Sequence, residues 1–288
     1  MTGIPTSKFE KQTNKNQFGY FAVLTLPPPY TDHTRSIQQA MPSSAAGGIM
    51  VFAQRRLLWL GQFADRRRRR QQVERVETGR GDLLGSVMNV GDVNDKKTRV
   101  YETNLYLPYH SDPSDVVGLL CLRQAKAGGL SSLVSVAAIY NEILAHHPEF
   151  LGLYYRPMYF AHLCEDQPSL SPIFSYHQGK LSCRYLRQYL ELGHEIRQQP
   201  LSRVEFEALD LFDAIMHDPK MRLDMMLQPG DLQFANNYAV LHSRTAFQDH
   251  DDPADHRKML RLWVKMPNAR TLAPEFPGRN GFPEPATL

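Results

Sequence analysis

Cysteine is scarce in this chain. There are three in 288 residues, Cys121, Cys164 and Cys183, with no short spacing between any two. Such a set excludes a disulfide framework and a zinc motif of paired thiols, and fits idle thiols in a reducing compartment. Long apolar runs are missing too: nothing approaches the roughly 20 residues of a membrane-spanning helix. The opening stretch, MTGIPTSKFEKQTNKNQF, is polar and has no apolar core of a secretory signal. Nor does one sign of charge dominate. Lys and Arg total 33 against 30 for Asp and Glu, which argues against nucleic-acid binding by the whole surface. These absences lead to the expectation of a cytoplasmic protein that acts on a small molecule, without membrane and without nucleic acid. A homo-oligomer stays open.

What is present suffices for a real core, since 42% of the residues are hydrophobic. Residues 1–17 are expected to be flexible, 18–273 to form one domain, and 274–288 to be a tail. The Pro- and Gly-rich chain after Pro267 is expected to dock loosely. Within the domain, 41–80 is atypical and basic. It contains Arg66–Arg70, five arginines in a row, a self-repelling block that suits a solvated helix face or a loose loop. Phe18–Leu26, Leu83–Val90, Arg99–Leu107, Val116–Arg123, Leu133–Ser135, Leu232–Ala235 and Leu260–Val264 read as strands. Val136–His147 reads as a helix that ends before Pro148. A second helix opens at the capping box of Ser202 and Glu205 and runs to about Met216. Residues 151–200 read as short aromatic strands between turns. Many short strands with two inserted helices predict a mainly β fold with helical decoration.

Three segments carry chemistry. In His110-Ser111-Asp112, alternation in an extended chain puts the imidazole and the carboxylate on one side. With a third ligand from another strand they complete one face of an octahedron and leave positions open. Taken alone this triplet is weak evidence, because a surface His beside an Asp is common. His242 lies in VLHSRTAF, just after the apolar Leu232–Ala235. Farther on, Arg257 and Arg261 are four residues apart and have the same facing parity if their segment is a strand. An arginine fork suits a dicarboxylate; a salt bridge to Asp249, Asp251 or Asp255 is the plainer alternative. In Gly128-Gly129-Leu130-Ser131, the glycines permit a tight turn and the Ser131 hydroxyl can donate to a carboxylate.

The order HSD, GGLS, LHSRTAF and RKMLRLW resembles the TauD/TfdA family of Fe(II)- and 2-oxoglutarate-dependent dioxygenases. The resemblance covers about Gly81 to Ala273, and Phe18–Thr31 is similar to the family's early strand. Met41–Arg80 departs from the family's pattern, in the section that normally roofs the site. The resemblance implies a double-stranded β-helix, or jelly roll. It implies Fe(II) held by His110, Asp112 and His242, with 2-oxoglutarate and O2 as cosubstrates. Arg257 matches the family's arginine for the distal carboxylate of 2-oxoglutarate. Ser131 falls where the family commonly has threonine. Arg261 matches a second arginine near the site, which in some members faces the primary substrate. The implied reaction hydroxylates or desaturates a small organic substrate, a small acid or secondary metabolite by family habit, while 2-oxoglutarate is converted to succinate. Two rivals remain at this point. One is a catalytically impaired protein of the same fold that only binds its small molecule, suggested by the odd 41–80 stretch. The other is a nucleic-acid-directed dioxygenase, supported only by Arg66–Arg70.

Overall fold

The computed structural model describes residues 84–92, 100–161, 167–266 and 269–276, together with the backbones of Phe21–Thr25 and Glu74–Val76. The arginine run Arg66–Arg70, Cys164, and the expected flexible residues 1–17 lie outside the described residues.

In chain order the strands are β1 (Phe21–Thr25), β2 (Glu74–Val76), β3 (Gly85–Val87), β4 (Leu107–His110), β5 (Val116–Arg123), β6 (Ala127–Gly128), β7 (Ser131–Ser135), β8 (Met158–Phe160), β9 (Ser169–Ser171), β10 (Phe174–His177), β11 (Lys180–Cys183), β12 (Arg222–Met225), β13 (Asp231–Asn236), β14 (Val240–Arg244), β15 (Phe247–Gln248) and β16 (Lys258–Lys265). A six-stranded sheet runs β1-β13-β5-β16-β2, with β3 also paired to β16, and a four-stranded sheet runs β12-β7-β14-β4. Their pairings are antiparallel. The two sheets face each other as the two halves of a jelly roll, whose inner layer joins Val117, Ala235 and Trp263 of the larger sheet to Leu133 and Val240 of the smaller.

β5 is apolar on both faces because both are covered. Val117 and Cys121 point inward, and Leu120 packs outward with Leu232 and Phe234. The outer face of the smaller sheet presents Tyr109, Val134 and Leu241 to a helical layer, in one cluster with Ile139, Ile143, Tyr154, Leu190 and Phe212. This layer is the largest apolar cluster of the described residues and stiffens the sheet that carries two histidines of the site.

The helical content exceeds expectation. Val136–His146 and Arg203–His217 form as read, the latter with both halves of its capping box in place. Val204, apolar and in the first turn of that helix, is 51% exposed. Two further helices stand where strands and turns were expected, Pro148–Tyr154 and Arg187–Ile196. Pro148 does not only end one helix; it occupies the first turn of the next, where its missing N–H costs nothing. The second starts at Leu186 without any side-chain cap, so the sequence gives no start signal.

Arg99–Leu107 also departs from its strand reading. It holds a short 3-10 turn, Val100–Glu102, and β4 begins only at Leu107. The backbone there finds partners other than a ladder: the Glu102 carbonyl accepts from the N–H groups of Val90 and Gly91, both under 3 Å. Arg244 Nη2 donates to the carbonyls of Thr103 and Leu105. Among the described residues of the expected Leu83–Val90, only Gly85–Val87 form a strand. Residues 269–276 are docked more firmly than their composition suggests, since Ala273 and Phe276 are buried against Tyr238; the rest of the expected tail lies outside the described residues.

Candidate metal centre

β4 and β14 pair with His110 opposite His242. The two rings lie 4.2 Å apart between centroids. β14 is central in its sheet, held by β7 on its other side with His242 opposite Leu133, so the His242 side chain projects into the sandwich. After β4 the alternation expected from HSD is visible in the contacts of the next two side chains. Ser111 turns the other way and exchanges bonds with Tyr185, its N–H to the Tyr185 carbonyl at 3.0 Å and its Oγ accepting from the Tyr185 N–H at 3.3 Å. Asp112 turns back toward the histidines. Its carboxylate oxygens lie 3.7 Å from His110 Nε2 and 3.5 Å from His242 Nε2.

These three side chains, all buried, offer ligand atoms within 4.8 Å of one another. Among the described residues no other group of three or more His, Cys, Asp or Glu converges in this way. The residues fit a metal ion on several counts. Asp112 Oδ2 is buried without a hydrogen-bond partner, which is costly unless an ion completes the site. His110 Nδ1 sits 2.8 Å from the Pro108 carbonyl, so Nδ1 carries the proton and Nε2 presents its lone pair to the cluster. Two imidazoles and one carboxylate are the donor set of non-haem Fe(II) centres with open positions.

Electrostatics keeps His110 neutral and Asp112 ionised, the forms that can hold a metal. Burial, reinforced by the neighbouring His242, pushes His110 down to about 4. Burial alone would raise Asp112, but the neighbouring His242 and the Arg261 guanidinium outweigh it and hold the carboxyl well below the usual range.

The other expected residues surround this cluster in two places. Arg261, on β16, reaches within 4.0 Å of Asp112 Oδ1, and its guanidinium lies over the rings of Tyr101 at 4.3 Å and Trp263 at 4.7 Å. Arg257 lies apart from the ligands, against the glycine turn. A Cβ on Gly129 would meet Arg257 Nε at 3.2 Å, and Gly129 itself has φ +77°, so glycine is required there both for conformation and for space. The parity argument for the two arginines does not carry over, because β16 starts at Lys258 and its register slips between Lys258 and Met259. Both side chains are nonetheless buried.

The salt-bridge alternative fails for the Arg257 guanidinium. Asp249 Oδ1 accepts from the Arg257 backbone N–H at 2.7 Å, while Arg257 Nη1 has no hydrogen-bond partner among the described residues. The guanidinium instead lies over the Phe247 ring at 5.1 Å, and burial lowers its pKa. Ser131, at the start of β7, donates from Oγ to Gln233 Oε1 at 2.9 Å.

Four residues of this region escaped the motif reading. Asn237 accepts from the Asp112 N–H through Oδ1 at 3.3 Å and donates from Nδ2 to the Ser114 carbonyl and hydroxyl, both at 2.9 Å. It therefore clamps the turn that presents Asp112. Arg244 shares the inward parity of His242, two residues before it. Its guanidinium lies over the same Phe247 ring as Arg257, at 4.6 Å, and burial together with the charge of Arg257 pushes it down to about 9. Gln233 breaks the apolar run of Leu232–Ala235 at an inward position. Tyr101 covers one face of the Arg261 guanidinium. A polar residue at an inward parity position was the available signal for Arg244 and Gln233.

Comparisons with known proteins point to one family. The model of the family described as "Taurine catabolism dioxygenase TauD, TfdA family" matches residues 53–263, beginning inside the 41–80 stretch that motif reading left aside. FR-33289 synthase of Streptomyces rubellomurinus is 40% identical over 205 residues, 68% of this chain and 60% of that protein. The taurine hydroxylase-like protein SAT17 of Stachybotrys chartarum is 32% identical over 162 residues, 54% of this chain and 42% of that one. The chain thus spans less than two thirds of the length of these relatives. An asparagine oxygenase solved with Fe(II), 2S,3S-3-hydroxyasparagine and succinate superposes with a TM-score of 0.52 at 21% identity, over 65% of this chain and 57% of that one. At that identity the likeness concerns the fold, and it is consistent with the jelly roll described above.

Proposed function

The chain belongs to the TauD, TfdA family of dioxygenases, and from that premise we propose that it is an Fe(II)- and 2-oxoglutarate-dependent dioxygenase acting on a small organic substrate. The observation that carries the proposal is the buried convergence of His110, Asp112 and His242 inside a sandwich whose nearby arginines lack full complements of partners. When bound, iron with 2-oxoglutarate and O2 supplies an oxidant for an unactivated C–H bond, with succinate and CO2 as coproducts.

The chain's own residues have separable roles in this reading. His110, Asp112 and His242 hold the metal. Arg257 anchors the distal carboxylate of 2-oxoglutarate, assisted by the Ser131 hydroxyl; a guanidinium with no carboxylate of its own is a suitable receptor. Arg261 steadies the Asp112 carboxylate and, from its place beside the ligands, faces an anionic primary substrate. The apolar inner layer of Val117, Leu133, Ala235, Val240 and Trp263 excludes water and so strengthens each of these charged contacts. The likeness to a synthase from a streptomycete supports a small metabolite as substrate, and the likeness to a taurine hydroxylase-like protein supports hydroxylation as the outcome. A protein that merely binds its ligand does not need a complete donor triad, and the triad therefore favours the enzyme.

The test is a substrate screen with Fe(II), ascorbate, O2 and 2-oxoglutarate, scored by succinate. Substrate-dependent succinate formation matched by O2 uptake is expected. Protein that binds candidate substrates tightly yet forms no succinate with any of them would contradict the proposal.

Among the described residues no helix is long and apolar enough to cross a membrane.

A further inference from the structure

Gln233 is a polar side chain in the sandwich interior that the metal ligands do not use. It stands on β13 and is 1% exposed. The bond from Ser131 to its Oε1 crosses from the four-stranded sheet to the six-stranded one. Its Nε2 has no partner among the described residues. Turning the amide over keeps the bond and exchanges the roles: Nε2 then donates to Ser131 Oγ, and the hydroxyl proton is released. In both orientations the pair retains donor hydrogens that no protein acceptor takes, and a buried unmet donor is costly.

The surroundings specify what would take them. Gln233 pairs with Leu119, and Leu119 with Arg261, so the three form one row across neighbouring strands. At the usual strand spacing the Cα atoms of Gln233 and Arg261 are roughly 10 Å apart, on opposite sides of one interior level. Ser131 in turn pairs with Arg244. Apart from His242 Nδ1 and Trp263 Nε1, the buried side-chain nitrogens of this interior without hydrogen-bond partners among the described residues are Gln233 Nε2, Arg244 Nε and Nη1, Arg257 Nη1 and Arg261 Nε. All are donors, and the arginines are cationic. Such a lining selects an anion with several acceptor oxygens, and Gln233 adds a neutral donor to the charged ones.

We propose that Gln233 is a cosubstrate-binding residue: with Ser131 it forms a hydrogen-bonded pair that presents a donor to a carboxylate of 2-oxoglutarate beside Arg257. This inference rests on the dioxygenase reading above. Ser131 by itself has its proton committed to Gln233 in the observed arrangement, so the two residues act as a unit rather than Ser131 alone.

The experiment is calorimetric titration of 2-oxoglutarate into protein loaded with Mn(II), which forms the complex without turnover. Gln233→Met keeps the length and removes both donor and acceptor. Its Kd for 2-oxoglutarate should rise about tenfold, the effect of losing a hydrogen bond to a charged group. Gln233→Glu keeps the shape and opposes an anion, and should weaken binding further. Mn(II) affinity and the melting temperature of the Mn(II) protein should change little. The double variant Ser131→Ala/Gln233→Met should lose less than the product of the two single losses, because the partners share one contact. If Gln233→Met binds 2-oxoglutarate within twofold of the unaltered protein, or shows only a lower melting temperature, the inference is overturned. Should Gln233→Met fail to fold, Gln233→Glu decides by the same criterion. Unaltered Mn(II) protein that takes up no 2-oxoglutarate overturns the dioxygenase reading as well, and that arm distinguishes the two failures.

Discussion

Replacing Arg257 by alanine should separate stability from ligand binding. The Arg257 side chain is 8% exposed, its Nη1 is unpartnered, and among the described residues its guanidinium makes no ion pair. Its charge lies over the face of Phe247, with the Asp249 carboxylate favouring it only from beyond ion-pair distance, and it is repelled by Arg244, whose pKa it lowers. Removing it from the ligand-free protein forfeits packing against Phe247 and Gly129 but also relieves a buried, uncompensated charge. The two effects oppose one another, so the melting stability should change by no more than about 1 kcal/mol. With 2-oxoglutarate the balance is different. Truncating one partner of a buried charge pair costs about 2–5 kcal/mol, which corresponds to a rise in Kd of roughly 30-fold to several thousandfold. Lysine at 257 should recover only part of this, since it lacks the planar fork. Arg261→Ala should leave cosubstrate affinity nearer normal and instead disturb the setting of Asp112, 4.0 Å away. The assay is anaerobic titration of the Fe(II) protein with 2-oxoglutarate, followed by its charge-transfer absorbance, beside thermal melts of the ligand-free variants. Normal binding by Arg257→Ala together with lost binding by Arg261→Ala would refute the reasoning and reverse the two roles.

Three further outcomes follow from particular contacts. Asn237→Ala removes the clamp on the Asp112 turn and leaves the Asp112 N–H and the Ser114 carbonyl without the partner it supplied, so metal affinity should fall about 10- to 100-fold, measured by competition with a chelator; unchanged affinity would show that the turn holds its shape alone. His110 is pushed down to about 4 from 6.5, so between those values the unfolded chain binds a proton that the folded chain does not. Stability of the metal-free protein should therefore be full above pH 6.5 and fall by about 3 kcal/mol as pH drops toward 4; denaturant melts across that range would show a flat profile if His110 were not buried neutral. Ser202→Ala breaks the capping box, in which Ser202 Oγ accepts from the Glu205 N–H and Glu205 bonds the Ser202 N–H, and should cost about 1 kcal/mol in denaturant melts without altering metal affinity; an equal loss of metal binding would mean that this helix supports the site more directly.

Local patterns made much of this legible. HSD could be read because alternation in an extended chain is a local rule, and Ser111 does turn away to Tyr185 while its neighbours face inward. β5 and the helix from Arg203 could be read because a continuous apolar run and a capping box are complete within a few residues. The same parity rule reaches Gln233 from Ala235 and Arg244 from His242, but a polar residue gains meaning only when its face is known to be interior. The arginine pair shows the limit of counting, since a register slip beside Lys258 breaks the parity between 257 and 261 and places one arginine on Phe247 and the other on Asp112. The segment from Val100 to Leu105 could not be read as it folds, because its carbonyls are satisfied by Val90, Gly91 and Arg244, partners brought in by tertiary structure. Asn237 likewise acquires its role from a turn 125 residues away in sequence.

The most direct test of the account is the metal itself. Anaerobic titration of metal-free protein with Fe(II), read by equilibrium dialysis, should show about one tight site per chain, as a single facial triad requires. His110→Ala, Asp112→Ala and His242→Ala, each shown to be folded by circular dichroism, should lose that tight site individually. Unreduced affinity and stoichiometry in any one of the three would contradict the assignment of His110, Asp112 and His242 as the metal centre.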